Sequence, residues 1–244
     1  MTGFATDFVP DRAARRAELR SYGRLVRLVG RRVAQPPAGA LPVVLVPGFI
    51  SGDVSLGYLA RAARRAGLRT FPSQIGANLG CTEDMVQRLL RRIEHLAAAE
   101  GRPVALAGHS RGGMIVNLAA RRRPELVAGV VTLSAPATGT LAVAPHVRAQ
   151  LELLFRLNRR GFGSVIAEEC VSGACADDVV AAFGQPFPAA LPYTAIYSKS
   201  DAIIDWRTCL DPAAELIEVG SSHTGMATDQ RVQRIVLDRL RRLA

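Results

Sequence analysis

The serine at position 110 stands between two glycines in the stretch "GHSRGG" (108–113). A run of small apolar residues precedes it, and a helical pattern follows it. On a sharp strand-to-helix turn a serine is exposed at the end of its strand, and Gly108 and Gly112 remove Cβ atoms that would collide in so tight a turn. We interpret Ser110 as a candidate nucleophile, the alternative being an ordinary serine in a glycine-rich loop.

A serine hydroxyl is a poor nucleophile at neutral pH and needs a base to take its proton. The sequence offers four histidines. His109 lies inside the turn and is expected to point away from Ser110, His95 falls on the polar side of a predicted helix, and His146 lies in an irregular segment. His223, in "VGSSHTGM", follows the last predicted strand and begins a loop at the same sheet edge. We therefore predict His223 as the base.

A carboxylate must hold that histidine in the right tautomer. In "YSKSDAIIDW", Asp201 comes just past the end of a predicted strand, one strand before His223. Asp205 is the rival, four residues later and about one helical turn further from the sheet edge. We favour Asp201.

A developing oxyanion needs preorganised backbone N–H donors. The amide of Arg111, next after Ser110, is one predicted donor. The loop after the first core strand, "LVPGFISGD", is expected opposite the turn and offers the amide of Phe49 as the second. Two roles stay open for the side chain of Arg111, contact with substrate and pairing on the surface.

Apolar strand patterns alternate with helical patterns along most of the chain. Strands are predicted at 42–48, 68–73, 103–108, 127–136, 193–198 and 214–219. Helices are predicted at 53–67, 82–101, 111–124, 202–210 and about 228–243. Strands that are apolar throughout, separated by helices, indicate an α/β fold with a mostly parallel central sheet covered by helices on both faces.

Regularity breaks between about residues 138 and 190, and an insertion of this length in a compact α/β domain is typical of a cap over a site. It contains the amphipathic pattern "HVRAQLELLFRLNRR" (146–160). Apolar residues of this helix, including Leu154 and Phe155, are predicted to line an acyl pocket. The alternative is that they only pack the cap onto the core.

The N-terminal segment predicts a basic amphipathic helix over 11–35, followed by the linker "AQPPAGALP". We therefore divide the chain into residues 1–41, helix and linker, and residues 42–244, the main domain. Such a helix either docks on an anionic lipid surface or packs on the domain with its arginines outward. We favour packing, because Gly23 and Gly30 weaken an autonomous membrane helix.

The net charge of +10 does not indicate a nucleic-acid partner. Aromatic residues make up 5% of the chain, and the arginines are spread over several predicted helices instead of forming one basic stripe. The chain has no run of 18 apolar residues and no apolar core of a secretory signal at its start. We expect a soluble, cytoplasmic protein.

The four cysteines form no C-x-x-C pair and have no histidine-rich companion, so a structural zinc site is not expected. Buried free thiols are the default expectation. In an oxidising compartment Cys170 and Cys175 could close a small local disulfide.

Five short segments, in order, resemble the α/β-hydrolase superfamily and, within it, small bacterial lipases and esterases. "LVPGF" is similar to their oxyanion loop, "GHSRGG" to their nucleophile elbow, "TLSAPATGT" to a segment that often reads T-x-x-P-H-x-G, and "SKSDAIID" and "GSSHTGM" to their acid and histidine loops. The likeness covers about residues 42–240, and the chain order Ser110, Asp201, His223 is the order of that superfamily. Pro47 and Ala137 stand where many lipases have histidine, which loosens the assignment to one subfamily.

The resemblance implies an α/β-hydrolase fold with a cap or lid. It also implies a serine hydrolase that cleaves carboxylic esters through an acyl-enzyme, acts on a small-molecule ester or lipid, and needs no cofactor and no metal. A thioesterase or acyltransferase with the same triad stays open, as does a haloperoxidase-like activity of the same fold. A lipid-binding protein without catalysis is the alternative from another class.

Overall fold

The computed structural model describes residues 8–26, 33–137, 141–162 and 165–244. Six strands pair in parallel in the order β2-β1-β3-β4-β5-β6. They are β1 (Pro42–Val46), β2 (Arg69–Pro72), β3 (Val104–His109), β4 (Val127–Leu133), β5 (Tyr193–Tyr197) and β6 (Glu215–Glu218). Each of the six predicted strands is confirmed, and the sheet is parallel throughout.

Eight helices accompany the sheet in the described part of the chain. They are α1 (Arg12–Val26), α2 (Gly57–Arg65), α3 (Thr82–Glu100), α4 (Arg111–Arg122), α5 (Pro145–Arg159), α6 (Glu169–Ser172), α7 (Ala174–Gly184) and α8 (Gln230–Arg241). The helix predicted at 202–210 is wrong, because that segment holds only a 3₁₀ turn, Trp206–Cys209. Its first amides bond elsewhere: those of Ile203 and Ile204 to the carboxylate of Asp201, and that of Asp205 to the carbonyl of Ala142.

Both faces of the sheet are buried, which explains why its strands are apolar throughout. On one face, Val44 and Leu106 pack with the inner sides of α3 and α4. On the other face, Val43 and Ala105 pack with α2 and α8. Burying each aliphatic side chain stabilises the fold by about 1.5–3 kcal/mol, so these two layers hold the strand ends in place.

The predicted insertion forms a cap of three helices, α5 to α7, between β4 and β5. Residues 138–140 and 163–164 of this insertion lie outside the described residues. Leu151, Phe155 and Ile166 make a small apolar cluster of the cap, and Phe49 of the main domain packs against it. An antiparallel bridge between Val143 and Ile204 ties the start of the cap to the segment after β5.

The N-terminal helix α1 packs on the main domain, beside the loop that carries His223. The hydroxyls of Ser21 and Ser222 are 2.8 Å apart, and the carboxylate of Glu18 is buried against the same loop. This is the packing that we favoured over lipid docking from the sequence. Residues 27–32 of the predicted helix lie outside the described residues, and residues 33–35, which were predicted as its last part, are not helical. None of the described helices combines the length and the apolar character that crossing a bilayer requires.

Candidate active site

Ser110 occupies a strained turn between β3 and α4. Its backbone has φ 55° and ψ −128°, a conformation that non-glycine residues rarely adopt. Such strain costs about 1–3 kcal/mol and persists only where the surroundings enforce it. Here the amide of Ser110 donates to the carbonyl of Leu133 in β4 at 2.8 Å, and its carbonyl accepts from the amide of Gly113.

The glycines around this turn allow close contact between backbones. A Cβ atom on Gly108 would lie 2.4 Å from the carbonyl oxygen of Gly112, and one on Gly112 would lie 2.2 Å from the carbonyl oxygen of Val46. On Gly48, in the loop after β1, it would lie 3.1 Å from the Cβ of Ser110. The turn and the loop after β1 therefore pack directly against each other. The need for glycine at positions 108 and 112, which the sequence predicted, follows from these close backbone contacts.

His223 and Asp201 form a buried hydrogen-bonded pair. The distance from Nδ1 of His223 to Oδ2 of Asp201 is 2.7 Å, and the two residues are 5% and 3% exposed. The other oxygen of Asp201 accepts the amides of Ile203 at 2.8 Å and Ile204 at 3.0 Å. Because the carboxylate is fixed by these two amides, Nδ1 of His223 must donate to it, which leaves Nε2 as the proton acceptor.

The same pair perturbs the pKa of both partners. Burial lowers the pKa of His223, but attraction to Asp201 and the hydrogen bond to it prevail, so the net pKa is raised. Burial raises the pKa of Asp201, but the charge and hydrogen bond of His223, with the two amides, make the net pKa lower than usual. The arrangement therefore favours a carboxylate beside a histidine that readily accepts a proton.

Asp205, the rival carboxylate, has a different role. Its Oδ1 accepts the amide of Arg207 at 3.0 Å and caps the 3₁₀ turn Trp206–Cys209. The structure thus brings Asp201 to His223 and leaves Asp205 on the turn that follows.

A cavity of about 360 Å³ lies between the sheet edge and the cap. Ser110, His223, Phe49 and Arg111 all line it. Its wall is largely apolar and includes Met114, Leu141, Val147, Leu151, Ile166 and Ile203. This volume falls in the range of small-molecule sites. Ser110 and His223, the two residues that could exchange a proton, both border this cavity.

The prediction that Leu154 and Phe155 line this cavity is wrong. The helix α5 presents Val147, Gln150 and Leu151 to the cavity, which are neighbours on one face of a helix. Phe155 lies one turn beyond Leu151 and packs inside the cap with Ile166, and Leu154 packs at the edge of that cluster.

The side chain of Arg111 is buried, with 8% of the residue exposed, so pairing on the surface is excluded. Its guanidinium donates to the carbonyls of Asn78 at 2.8 Å and Gly80 at 2.6 Å, and to the hydroxyl of Thr82 at 3.2 Å. Burial lowers the pKa of Arg111 to about 10, a shift that nearby cysteine thiols oppose. Arg111 therefore holds the segment before α3 against the turn of Ser110, while it also lines the cavity.

His109 also lines the cavity, and its ring contacts the histidine loop. Its Nε2 is 2.9 Å from the carbonyl oxygen of His223, and the two rings lie 4.8 Å apart. Burial, together with repulsion from His223, lowers the pKa of His109 to about 3. His109 is therefore neutral at physiological pH and donates from Nε2, which fixes the backbone of the loop.

Sequence reasoning missed the part that Glu18 plays at this site. The amide of Thr224, the residue after His223, donates to Oε1 of Glu18 at 2.7 Å, and the charge of Glu18 helps to raise the pKa of His223. The other oxygen, Oε2, is buried and has no hydrogen-bond partner among the described residues. No pattern in the sequence could link two residues separated by 206 positions.

A second group of reactive side chains lies at the edge of the cavity. The Sγ atoms of Cys81, Cys170 and Cys175 all lie within 4.8 Å of one another, and all four cysteines of the chain are free thiols. Within the described residues this is the group whose geometry suits a metal ion. The local disulfide between Cys170 and Cys175 is thus absent, and both residues meet Cys81 instead.

Comparison with known proteins agrees with this architecture. Residues 43–243 match the alpha/beta hydrolase family. A triacylglycerol lipase of Vibrio cholerae serotype O1 is 34% identical over 113 residues, which cover 44% of this chain and 36% of the lipase. The chain thus matches about a third of the length of that relative.

Solved structures with the same fold include the mature form of a Bacillus licheniformis lipase, with a TM-score of 0.66 at 16% identity over 86% of this chain and 96% of the lipase. A monoacylglycerol lipase of Paleococcus ferrophilus has a TM-score of 0.62 at 19% identity over 86% and 97% of the two chains. Since the family match extends over nearly the whole main domain, this chain belongs to the alpha/beta hydrolase family.

Proposed function

We propose that this hydrolase cleaves carboxylic esters, with Ser110 as nucleophile, His223 as general base and Asp201 as the residue that orients it. One observation carries the proposal: His223 bonds Asp201 through Nδ1 at 2.7 Å while it lines the same cavity as Ser110. In that tautomer Nε2 is the acceptor that a serine nucleophile requires.

The reaction then proceeds in two halves. Oγ of Ser110 attacks the ester carbonyl as its proton passes to Nε2 of His223, and Asp201 stabilises the resulting imidazolium. The tetrahedral intermediate collapses when the bond to the alcohol oxygen breaks, and His223 returns the proton to the leaving alcohol. Water repeats the sequence on the acyl-enzyme and releases the acid.

Two backbone amides are proposed to bind the oxyanion, those of Phe49 and Arg111. Arg111 is the first residue of α4, so its amide has no acceptor within the helix and lies at the positive end of the helix dipole. Phe49 follows Gly48, whose missing side chain lets the loop approach Ser110 closely. Loss of one such donor typically costs about 100–1,000-fold in kcat.

The proposed substrate is an ester with an apolar acyl group. The largely apolar cavity wall supports this, as do the lipases among the similar proteins. The apolar wall can hold an acyl chain, but it does not distinguish an oxygen ester from a thioester, because both are attacked at the same carbonyl. The leaving group is therefore decided by assay.

The test is hydrolysis of p-nitrophenyl esters from acetate to palmitate, in parallel with acyl thioesters of the same chain lengths, by the wild-type chain and Ser110→Ala. A matched control is Ser172→Ala, because the hydroxyl of Ser172 bonds only within the cap, to the carbonyl of Glu168. We expect oxygen-ester turnover that is lost in Ser110→Ala and kept in the control. Faster turnover of thioesters would replace the ester assignment, and ester turnover that survives in Ser110→Ala would contradict the nucleophile.

A further inference from the structure

Three cysteines from distant parts of the chain meet where the cap joins the main domain. Cys81 directly precedes α3, Cys170 lies in α6 and Cys175 lies in α7. The Sγ atoms of Cys81 and Cys175 are 3.5 Å apart, and all three Sγ atoms lie within 4.8 Å of one another. Two cap helices and the start of a core helix therefore present their thiols to one point.

The spacing of these sulfur atoms suits a tetrahedral metal ion. Zinc–sulfur bonds are about 2.3 Å long, so two thiolates on one tetrahedral zinc ion lie about 3.8 Å apart. The observed separations bracket that value, from 3.5 Å to less than 4.8 Å. Small rotations of the side chains would bring all three sulfur atoms to bonding distance.

A buried cation lies beside the cluster. The buried guanidinium of Arg111 bonds the carbonyl of Gly80 and the hydroxyl of Thr82, on either side of Cys81.

Arg111 also lacks the carboxylate partner that a buried guanidinium normally has. None of the ion pairs among the described residues includes Arg111. Three thiolates around one Zn²⁺ carry one net negative charge, which would balance this guanidinium. Buried charges are normally paired, so such a cluster would add a counter-charge to the hydrogen bonds that this guanidinium already makes.

We propose that Cys81, Cys170 and Cys175 bind one Zn²⁺ ion, with a fourth position open to water. Binding forms three zinc–sulfur bonds, releases the remaining thiol protons to solvent and transfers no electron. A disulfide fits the cluster less well, because it would join two of the sulfur atoms, leave the third unpaired and require an oxidant.

Bound zinc would fasten the cap to the main domain. Cys170 lines the cavity, and Thr82, next to Cys81, lines it as well. The ion would thus fix the positions of α6 and α7 against α3 and so stabilise that side of the cavity wall. The zinc ligands are different residues from Ser110 and His223, and the site does not depend on the proposed ester chemistry.

The experiment is to purify the full chain under reducing conditions without chelator and to measure bound metal by mass spectrometry of the elements. Co²⁺ is then titrated into the metal-free protein while the thiolate-to-cobalt absorption in the near ultraviolet is recorded. Each cluster cysteine is replaced by alanine, and Cys209→Ala is the matched control, because Cys209 is a buried thiol that packs with Ile203 and Ile204.

We expect about one zinc ion per chain and a saturable cobalt spectrum of thiolate coordination. Each cluster variant should lose more than about 100-fold in zinc affinity, since even outer-shell partners of a metal site contribute about 10–100-fold. Cys209→Ala should keep the metal. If a cluster variant fails to fold, the cobalt spectrum of the wild-type chain still decides the question.

Two results would overturn the proposal. One is the finding that the wild-type chain contains no zinc and gives no saturable cobalt absorption under reducing conditions. The other is a disulfide between two cluster cysteines in zinc-free protein as isolated, shown by peptide mapping. Neither result would affect the test of Ser110, because ester turnover is measured separately.

Discussion

Replacing Asp201 by asparagine tests the orientation of His223 with almost no change in shape. In the wild-type chain Oδ1 of Asp201 accepts two amides, at 2.8 Å and 3.0 Å, and Oδ2 faces Nδ1 of His223 at 2.7 Å. The asparagine oxygen can keep both amide bonds, so its NH₂ group must take the place of Oδ2. Two donors would then face each other unless His223 moves its proton to Nε2.

That tautomer cannot accept the proton of Ser110. We therefore expect Asp201→Asn to lose about 1,000–10,000-fold in kcat, equivalent to about 4–5.5 kcal/mol of transition-state stabilisation. The acid limb of the pH profile should also move to lower pH, because the carboxylate that raises the pKa of His223 is gone.

The assay is kcat against pH on a p-nitrophenyl ester, with thermal unfolding as a check on folding. Asp205→Asn is the matched control, since Asp205 caps a turn through the amide of Arg207 and should keep near wild-type kcat. If Asp201→Asn folds and keeps more than about a tenth of the activity, or if the control loses more, the assignment of Asp201 is refuted.

Three further outcomes follow from the same contacts. Gly112→Ala should unfold the chain or abolish activity, because its Cβ would lie 2.2 Å from the carbonyl oxygen of Val46. In the control Gly184→Ala the new Cβ has no atom within 4 Å, so this variant should keep both the melting temperature and the activity. In the wild-type chain kcat/KM should rise with pH through a midpoint above about 6.5, the ordinary pKa of histidine. The reason is that the base must be neutral and that the pKa of His223 is raised. A midpoint below about 6.5 would contradict the assignment of His223 as the base. Glu18→Gln should shift that midpoint to lower pH with little loss of stability, since an amide oxygen can still accept the buried hydrogen bond; an unchanged midpoint would show that the charge of Glu18 has no influence.

The fold could be predicted from the sequence because its main signals are local. Each buried strand is a short apolar run, and strict alternation with helices leaves a parallel sheet as the natural arrangement. The sharp turn at Ser110 could also be predicted from the sequence. Side chains at Gly108 and Gly112 would collide with the backbone there, so the turn requires both glycines, and they stand close together in one short motif. Asp201 could be preferred over Asp205 because it lies closer to the end of its strand, and the ends of parallel strands lie together at the sheet edge where His223 and Ser110 are also expected.

What the sequence could not predict depends on contacts between distant residues. Glu18 reaches the histidine loop from 206 positions away, and Cys81 meets Cys175 across 94 positions, so neither appears in any local spacing. The assignment of Leu154 and Phe155 to the cavity failed for a related reason. The pattern identified an apolar helix, but which turn of that helix faces the cavity depends on how the cap is seated.

Covalent labelling of the wild-type chain with a fluorophosphonate, followed by peptide mapping, tests directly whether Ser110 is the nucleophile. We expect one phosphonyl group on Oγ of Ser110, with no labelling in Ser110→Ala and greatly slowed labelling in His223→Ala, because the attack requires the base. A label on any other residue, or no label on folded protein that hydrolyses esters, would contradict the assignment of Ser110 as nucleophile.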